Sequence, residues 1–375
     1  MSKNFLVFIL WVVILPASFA QSFTPVQNRL LNYRALNYDF NFMPENLLSS
    51  RSVVMVSVPA VGKSENRGNW HEFAEKAHQY FVRLGIDAVA YYYLDDVLAG
   101  DAVTTAIAEN LTQRNIQNII LLDKSRQESG NVINSLVITP FNKDKTFLSH
   151  GQKAWYNQND EFDNVLINLY RSLGQHNLEL SNHMIIDQPE YYKDIPVMAG
   201  RRFEEYQPDL KLDKIVVPAF EPITIPNTVD DPVVLQTIEK TNEKIKKDNE
   251  KLQEIMQQYP YKYGIEDVSE KTNQQLIAAG YQYILMNINT TGKAVKQFLN
   301  YKTNPNETDY ISMRVEPDLS VEVKPIPVEQ PVYKFYVKHL YTGDIFLGAK
   351  WDADVTWQQA LENHINGMKI ELKIR

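Results

Sequence analysis

Gly62, Lys63 and Ser64 follow a β-branched run and end like a phosphate-binding loop, in which backbone N–H groups and a lysine cradle phosphate. That loop needs a glycine five residues before Gly62, and Ser57 stands there instead. His71, Glu75 and His78 fall at i, i+4 and i+7, on one helix face, where imidazoles and a carboxylate can ligate zinc. Zinc proteases space their histidines four apart with a glutamate beside the first. Here the spacing is seven, and solvated helix-face residues are the plainer reading. Asp95–Asp96 and Glu266–Asp267 are paired acids of the kind that does general acid and base work on glycosides. Adjacent residues at a strand end point apart, so helix capping or loop solvation also accounts for them. The 21 tyrosines cluster at Tyr91 to Tyr93, Tyr191–Tyr192 and Tyr259 to Tyr263, which suits sugar platforms, protein interfaces or plain strand and linker packing. No G-x-S-x-G elbow offers a hydrolase serine. The sequons at Asn110, Asn289 and Asn306 matter only in a host that glycosylates asparagine. No catalytic, cofactor-binding or metal-binding residue is assigned, and the expectation is a non-catalytic protein without a cofactor.

The start of the chain points to export. Lys3 precedes the apolar run Phe5 to Ala20, broken by Pro16, with small residues Ser18 and Ala20 where a signal peptidase reads. A signal peptide over residues 1–20 is expected, with Gln21 as the new N-terminus. An uncleaved anchor needs about 20 apolar residues, and Pro16 and the polar stretch from Gln21 cut the run short. The chain has no cysteine, which removes lipid anchoring through that residue, disulfides, thiolate metal sites and thiol nucleophiles. A net charge of -8 argues against a general nucleic-acid binder. The remaining ~355 residues exceed one ordinary core and divide naturally into two domains.

Hydrophobic periodicity supplies the elements. Ser52 to Pro59 reads as a strand buried on both faces. Trp70, Phe73, Ala74, Ala77, Tyr80, Phe81 and Leu84 mark an amphipathic helix ended by Gly85. Ile86 to Leu94 is a second strand, Asp101 caps a helix reaching Asn115, and Ile116 to Leu122 is a third strand. Val132 to Phe141 pairs with Lys145 to Ser149, carried on through Tyr156, and a helix through Phe162, Leu166 and Leu173 stops at Gly174. The order is β-α-β-α-β-β-β-α. Residues 21–45 form an N-terminal extension, 46–186 a first domain, 187–212 a Pro-rich connector and 213–375 a second domain.

The second domain repeats the first. Leu48 and Val53 match Leu210 and Ile215, each 162 residues on, and Leu111 to Leu122 matches Leu276 to Met286 at 165. Phe147–Leu148, Trp155 and Leu166 match Phe346–Leu347, Trp351 and Leu361 at 199, 196 and 195. Tyr92 to Val97 sets a weaker match against Tyr263 to Val268, and extra residues fall between Asn287 and Val332 around a strand at Tyr310 to Val315. Val234 to Gln258 is a long polar helix. Its Ile238, Ile245, Leu252 and Tyr259 are seven apart, but Asn242 and Asn249 weaken a coiled-coil seam, so packing on its own sheet is expected.

The strand VVMVSVP, a helix, a tyrosine-bearing strand, a helix over LTQRN, the strand IIL, and TFLS or DIFL before a tryptophan and a closing helix resemble the N-terminal domain of the periplasmic protein TolB and the curli-secretion lipoprotein CsgG. The resemblance implies two tandem α/β domains with helices on a mixed sheet, working by contact with other envelope proteins. No propeller follows as in TolB and no lipidated cysteine precedes as in CsgG, so no functional residue carries over. The expectation is a periplasmic scaffold or accessory subunit of a Gram-negative outer-membrane assembly, secretion or surface machine, with docking through a sheet edge as one mechanism. The alternative is a carbohydrate- or cell-wall-binding protein, or a glycan hydrolase.

Overall fold

The computed structural model describes residues 36–59, 69–126, 131–149, 151–191, 200–223, 232–269, 271–315 and 320–373. The expected signal peptide and the Gly62–Lys63–Ser64 loop lie outside the described residues. In the first lobe, strand β1 (Asn37–Tyr38) precedes the buried strand β2 (Arg51–Ser57). Helix α1 (Trp70–Leu84) turns Phe73, Ala74, Ala77 and Phe81 inward, and Gly85 ends it in the left-handed conformation, φ 79°, that a residue with a Cβ resists. Strand β3 (Asp87–Tyr93), a short helix α2 (Leu94–Val97) and helix α3 (Asp101–Gln113) follow. Gly100, not Asp101, occupies the cap position of α3. Strands β4 (Ile116–Arg126), β5 (Val132–Pro140) and β6 (Lys153–Asn159) lead to helix α4 (Phe162–Gln175), which runs through Gly174 rather than stopping there. The strand start expected over Lys145 to Ser149 is a turn instead. Asn142 Oδ1 accepts from the Asp144 N–H and Asp144 Oδ1 from the Thr146 N–H, local bonds that compete with a strand ladder.

The stretch expected as a plain connector supplies one edge strand to each sheet, β7 (Glu190–Tyr191) beside β3 and β8 (Arg202–Phe203) in the second lobe. That lobe comprises β9 (Ile215–Pro218), α5 (Pro232–Met256), β10 (Tyr263–Glu266), α6 (Asn273–Ala278), β11 (Tyr283–Thr291) and α7 (Gly292–Phe298). A hairpin of β12 (Asp309–Val315) and β13 (Val321–Pro327) forms its own two-stranded sheet, then β14 (Pro331–His339), β15 (Ile345–Phe346) and α8 (Trp357–Glu371) close the lobe.

The protein is therefore a two-lobed mixed α/β chain, and the lobes share a topology. The sheet order β6-β5-β4-β2-β3 in the first is matched by β15-β14-β11-β9-β10 in the second. Each corresponding pair of neighbours has the same sense: β2 runs parallel to β3 and β4 as β9 does to β10 and β11, and the remaining pairs are antiparallel. Even the extra strands agree, since β1 and β8 pair parallel with β6 and β15. Asn115 and Gly280, 165 apart, both carry positive φ (59° and 87°) after matched helices. The match of Phe147–Leu148 to Phe346–Leu347 holds in sequence only. Phe346 lies in β15, whereas Phe147 sits in the turn ahead of β6, and Trp155 in β6 has no positional equivalent in Trp351, which follows β15.

Helix α5 packs on its own sheet, with Ile238, Ile245, Leu252 and Tyr259 buried there. Its two asparagines do not weaken it. Asn249 accepts from the Phe220 N–H (2.9 Å) and donates to the Phe220 carbonyl (2.8 Å), and Asn242 does the same for Ile223 (2.7 and 3.0 Å). Seven helical residues advance about 10.5 Å and three extended ones about 10 Å, so the extended segment lies along α5 in register.

Helices α1 and α4 cover the outer face of the first sheet, and α5 and α8 the outer face of the second. The inner faces share one core. Val53, Met55, Ile119 and Leu121 of the first sheet meet Val103, Ile107 and Leu111 of α3, and the same cluster continues into Ile288, Val332 and Tyr336 of the second. The reason lies in helix length. Helix α6 has 6 residues where α3 has 13, so its Leu276 covers only the part of the second inner face at Val216, Ile284 and Leu340, and α2, α3 and α7 cover the part that joins the shared core.

Candidate functional site

The lobes are joined where α2 and α3 meet β11. The Asn289 N–H donates to the Ala99 carbonyl (2.8 Å), and Thr290 Oγ1 donates to Asp96 Oδ1 (2.6 Å). A Cβ on Gly100 would lie 2.7 Å from the Asn287 carbonyl oxygen, closer than real contacts permit, so the glycine sets how near the lobes come. Beside this seam opens a cleft of about 70 Å³. Val217, Phe220, Leu252, Leu285 and Phe335 make it apolar, Gly100 and Asp101 reach it from the first lobe, and Glu221 and Val268 stand on the second. It lies beyond the carboxyl end of β9, the strand flanked on both sides by its successors β10 and β11. In open α/β sheets, that topological switch point is where ligands bind.

The acid pairs singled out in the sequence do not line this cleft, although Asp267 directly precedes Val268 of its lip. Asp96 is tied to Thr290 across the seam, and the Ala99 N–H bonds to the Asp96 carbonyl one residue before Gly100. Glu266 takes an ion pair from Lys271 (2.5 Å) and a hydrogen bond from the Tyr281 hydroxyl, which holds its carboxyl below the usual range. Asp267 accepts from the Ser269 N–H (3.0 Å) and hydroxyl (2.5 Å), with the same effect on its carboxyl. Asp96, Glu266 and Asp267 are thus engaged in tethers within the fold.

The histidine face is dispersed. His78 is buried, its Nδ1 3.1 Å from the Tyr91 hydroxyl and its Nε2 2.8 Å from the Ile186 carbonyl, while Glu75 is exposed and His71 stacks on Tyr191 at 4.5 Å. Among the described residues no three His, Asp or Glu side chains converge as a metal site. Of the tyrosine clusters, Tyr91 to Tyr93 are buried in the first lobe, and Tyr259 packs with Tyr261 and Tyr263 against the second sheet.

Two polar constellations escape a sequence reading. In the first lobe Ser57, Asp123 and Ser135 face one another across β2, β4 and β5. Burial pushes the Asp123 carboxyl up to about 6, and the hydroxyls of Ser57, Ser125 and Ser135 pull it partly back. In the second, the wholly buried Lys334 places its Nζ 2.5 Å from Asp352 Oδ1 and 2.9 Å from the Leu347 carbonyl. Asp352 Oδ2 lies 3.2 Å from His364 Nδ1, and the Tyr206 hydroxyl lies 3.0 Å from the same nitrogen. A carboxylate only accepts, so the His364 tautomer that satisfies Asp352 carries its proton on Nδ1. Burial drives both Lys334 and His364 below their ordinary values, against the pull of Asp352. Burial would raise Asp352, but Lys334 and His364 outweigh it and hold the carboxyl low. By the offsets of 199 and 195, Ser135 stands where Lys334 does and Leu169 where His364 does, so the ionic cluster belongs to the second lobe alone. Its one sequence signal is a lysine in the otherwise apolar run Val332 to Val337.

Fold and site together define a duplicated α/β protein with an apolar cleft at the seam. Scans of the chain against family models, curated proteins and solved structures found no match.

Proposed function

We propose that the chain is a non-catalytic, exported periplasmic protein, a scaffold or accessory subunit that binds partners of an outer-membrane assembly, secretion or surface machine. One observation carries the reading: of the acids that could have worked as catalytic pairs, Asp96 is bound into the seam and Glu266 and Asp267 into local contacts beside β10. What remains open at the meeting of the lobes is an apolar cleft shaped to hold a group. The apolar leader supports export, and the resemblance of the element order to TolB-type domains supports an envelope partner. No helix among the described residues is long and apolar enough to cross a membrane. The outer strands of the two main sheets are short templates for strand addition, because β1, β7 and β8 have two residues each and β10 has four. Docking at the cleft is therefore favoured over edge pairing.

Affinity capture from chemically cross-linked envelopes tests this. Specific membrane-associated partners are expected, and their absence sinks the reading. One observation favours a carbohydrate-binding alternative: Trp70, His71 and Tyr191 form a half-exposed aromatic group, with Trp70 edge-on to Tyr191 at 5.6 Å. Glycan turnover lost on replacing Asp95 and Asp96 by Asn would establish the hydrolase form of that alternative; a scaffold shows no turnover to lose.

A further inference from the structure

We propose that Lys334 and Asp352 condense, once the second lobe has folded, into an amide bond that ties β14 to the segment entering α8. The step is independent of the binding role argued above. Distance alone does not single the pair out. Lys271 stands as near to Glu266 (2.5 Å), but their side chains are 41% and 30% exposed and water keeps both charged. Lys334 and Asp352 meet at 2.5 Å with 0% and 8% exposure. By its angles the contact at Oδ1 is not a hydrogen bond. The carboxyl carbon lies one carbon–oxygen bond further, so Nζ is at most about 3.7 Å from it. Two groups held that closely, with water shut out, approach the geometry from which bonds form, and such fixing is worth effective concentrations of up to roughly 10⁵–10⁸ M.

The atoms balance without an oxidant or a cofactor. The Lys334 ammonium passes one proton to Asp352 Oδ1, which leaves a neutral amine facing a carboxylic acid. Burial holds Lys334 below its ordinary value and favours that transfer. Asp352, which burial would raise, is held low by Lys334 and His364 and opposes it, so the bond forms slowly and after the fold. The amine lone pair attacks Cγ, a second Nζ proton moves to Oδ1, and Oδ1 departs as water as its bond to Cγ breaks. Oδ2 stays as the amide oxygen. His364 Nδ1, 3.2 Å from Oδ2, donates to the charge that builds there, and the Leu347 carbonyl, 2.9 Å from Nζ, accepts the proton left on the amide nitrogen. Both polar ends of the product are thus already partnered, and two buried charges are gone. Until the bond closes, the two groups behave as an ion pair. The chain has no cysteine, and this is a staple that needs none.

Trypsin digestion and mass spectrometry read the bond. In the linked chain Lys334 is no longer a cleavage site, so residues 315–338 should be recovered joined to residues 351–369, lighter by one water than the two peptides together. The full chain is prepared unfolded in urea, transferred to buffer and sampled over time. The joined peptides should accumulate only after refolding, with none in a sample kept in urea. Lys334→Met with Asp352→Ala, which removes both charges, should fold and give residues 351–369 free. His364→Leu, checked for folding by circular dichroism, should slow the appearance of the joined peptides by about a hundredfold. Residues 335–338 and 351–369 recovered as separate peptides from the folded wild-type chain at the end of the time course overturn the proposal. A link from Lys334 to any other residue, one that also forms in urea, or an unchanged rate in folded His364→Leu overturns it too. If His364→Leu does not fold, the wild-type digest decides alone.

Discussion

Replacing Asp352 by alanine strands the Lys334 ammonium in a site where its side chain is 0% exposed. The remaining acceptor is the Leu347 carbonyl at 2.9 Å, which supplies one hydrogen bond and no countercharge. Breaking a buried ion pair from one side costs about 3–5 kcal/mol, whereas removing both charges together is often neutral or stabilising. Asp352→Ala should therefore destabilise the second lobe by about 4 kcal/mol, a fall of about 10 °C in its melting temperature for a unit of this size. Lys334→Met with Asp352→Ala should recover at least about 2 kcal/mol of that loss. The first lobe, with Ser135 and Leu169 at the matching places, supplies the precedent for a core without these charges. Urea unfolding of the single and double variants, followed by circular dichroism, gives the coupling directly. Additive costs, with the double variant as unstable as the sum of the singles, would refute the reasoning. The cluster also fixes a pH response. His364 is held below its ordinary value by burial, so between the unfolded value near 6.5 and its lower folded value the unfolded chain binds the extra proton. Stability should fall as pH drops through that window, by up to about 1.4 kcal/mol per pH unit for one proton. Asp352, also held low, adds its own loss only below about pH 4. His364→Leu should flatten the first part of the curve and leave the second.

Asp123→Asn should stabilise the first lobe by about 2 kcal/mol at pH 7, because a carboxyl raised to about 6 is charged there at a cost; at pH 4 the gain should vanish in the same unfolding assay. Gly100→Ala should cost about 1–3 kcal/mol by pressing a methyl on the Asn287 carbonyl, read as a lower melting temperature with hydrogen exchange quickened at Asn289. Asn242→Ala and Asn249→Ala should each cost about 1–3 kcal/mol, since each frees a backbone N–H and carbonyl pair beside α5; urea midpoints would show whether they do.

The duplication was legible because sheets impose order: offsets near 162 to 165 persisted through Val53, Leu111 and their partners, and those residues occupy matched elements. The match broke at Phe147, where Asn142 and Asp144 divert the chain into a turn through bonds that apolar spacing does not reveal. The edge strands β1, β7 and β8 have two residues each, too few for a period to show. Asn242 and Asn249 looked like flaws in a heptad because their partners, Phe220 and Ile223, lie about 20 to 30 residues away in sequence. For the site, the acid pairs were visible but their tethers were not. Asp96 meets Thr290 only after two lobes have folded together, and Lys334 finds Asp352 only because β15 ends early and lets the following loop turn inward.

The central claim is that the seam between the lobes holds another molecule. A photoreactive benzoylphenylalanine placed at Glu221, beside the cleft, tests it against the same group at Tyr170, which is exposed on outer helix α4. Irradiation of intact envelopes should give a discrete adduct from position 221 and none from 170. Equal labelling from both positions, or an adduct from 170 alone, would contradict the account.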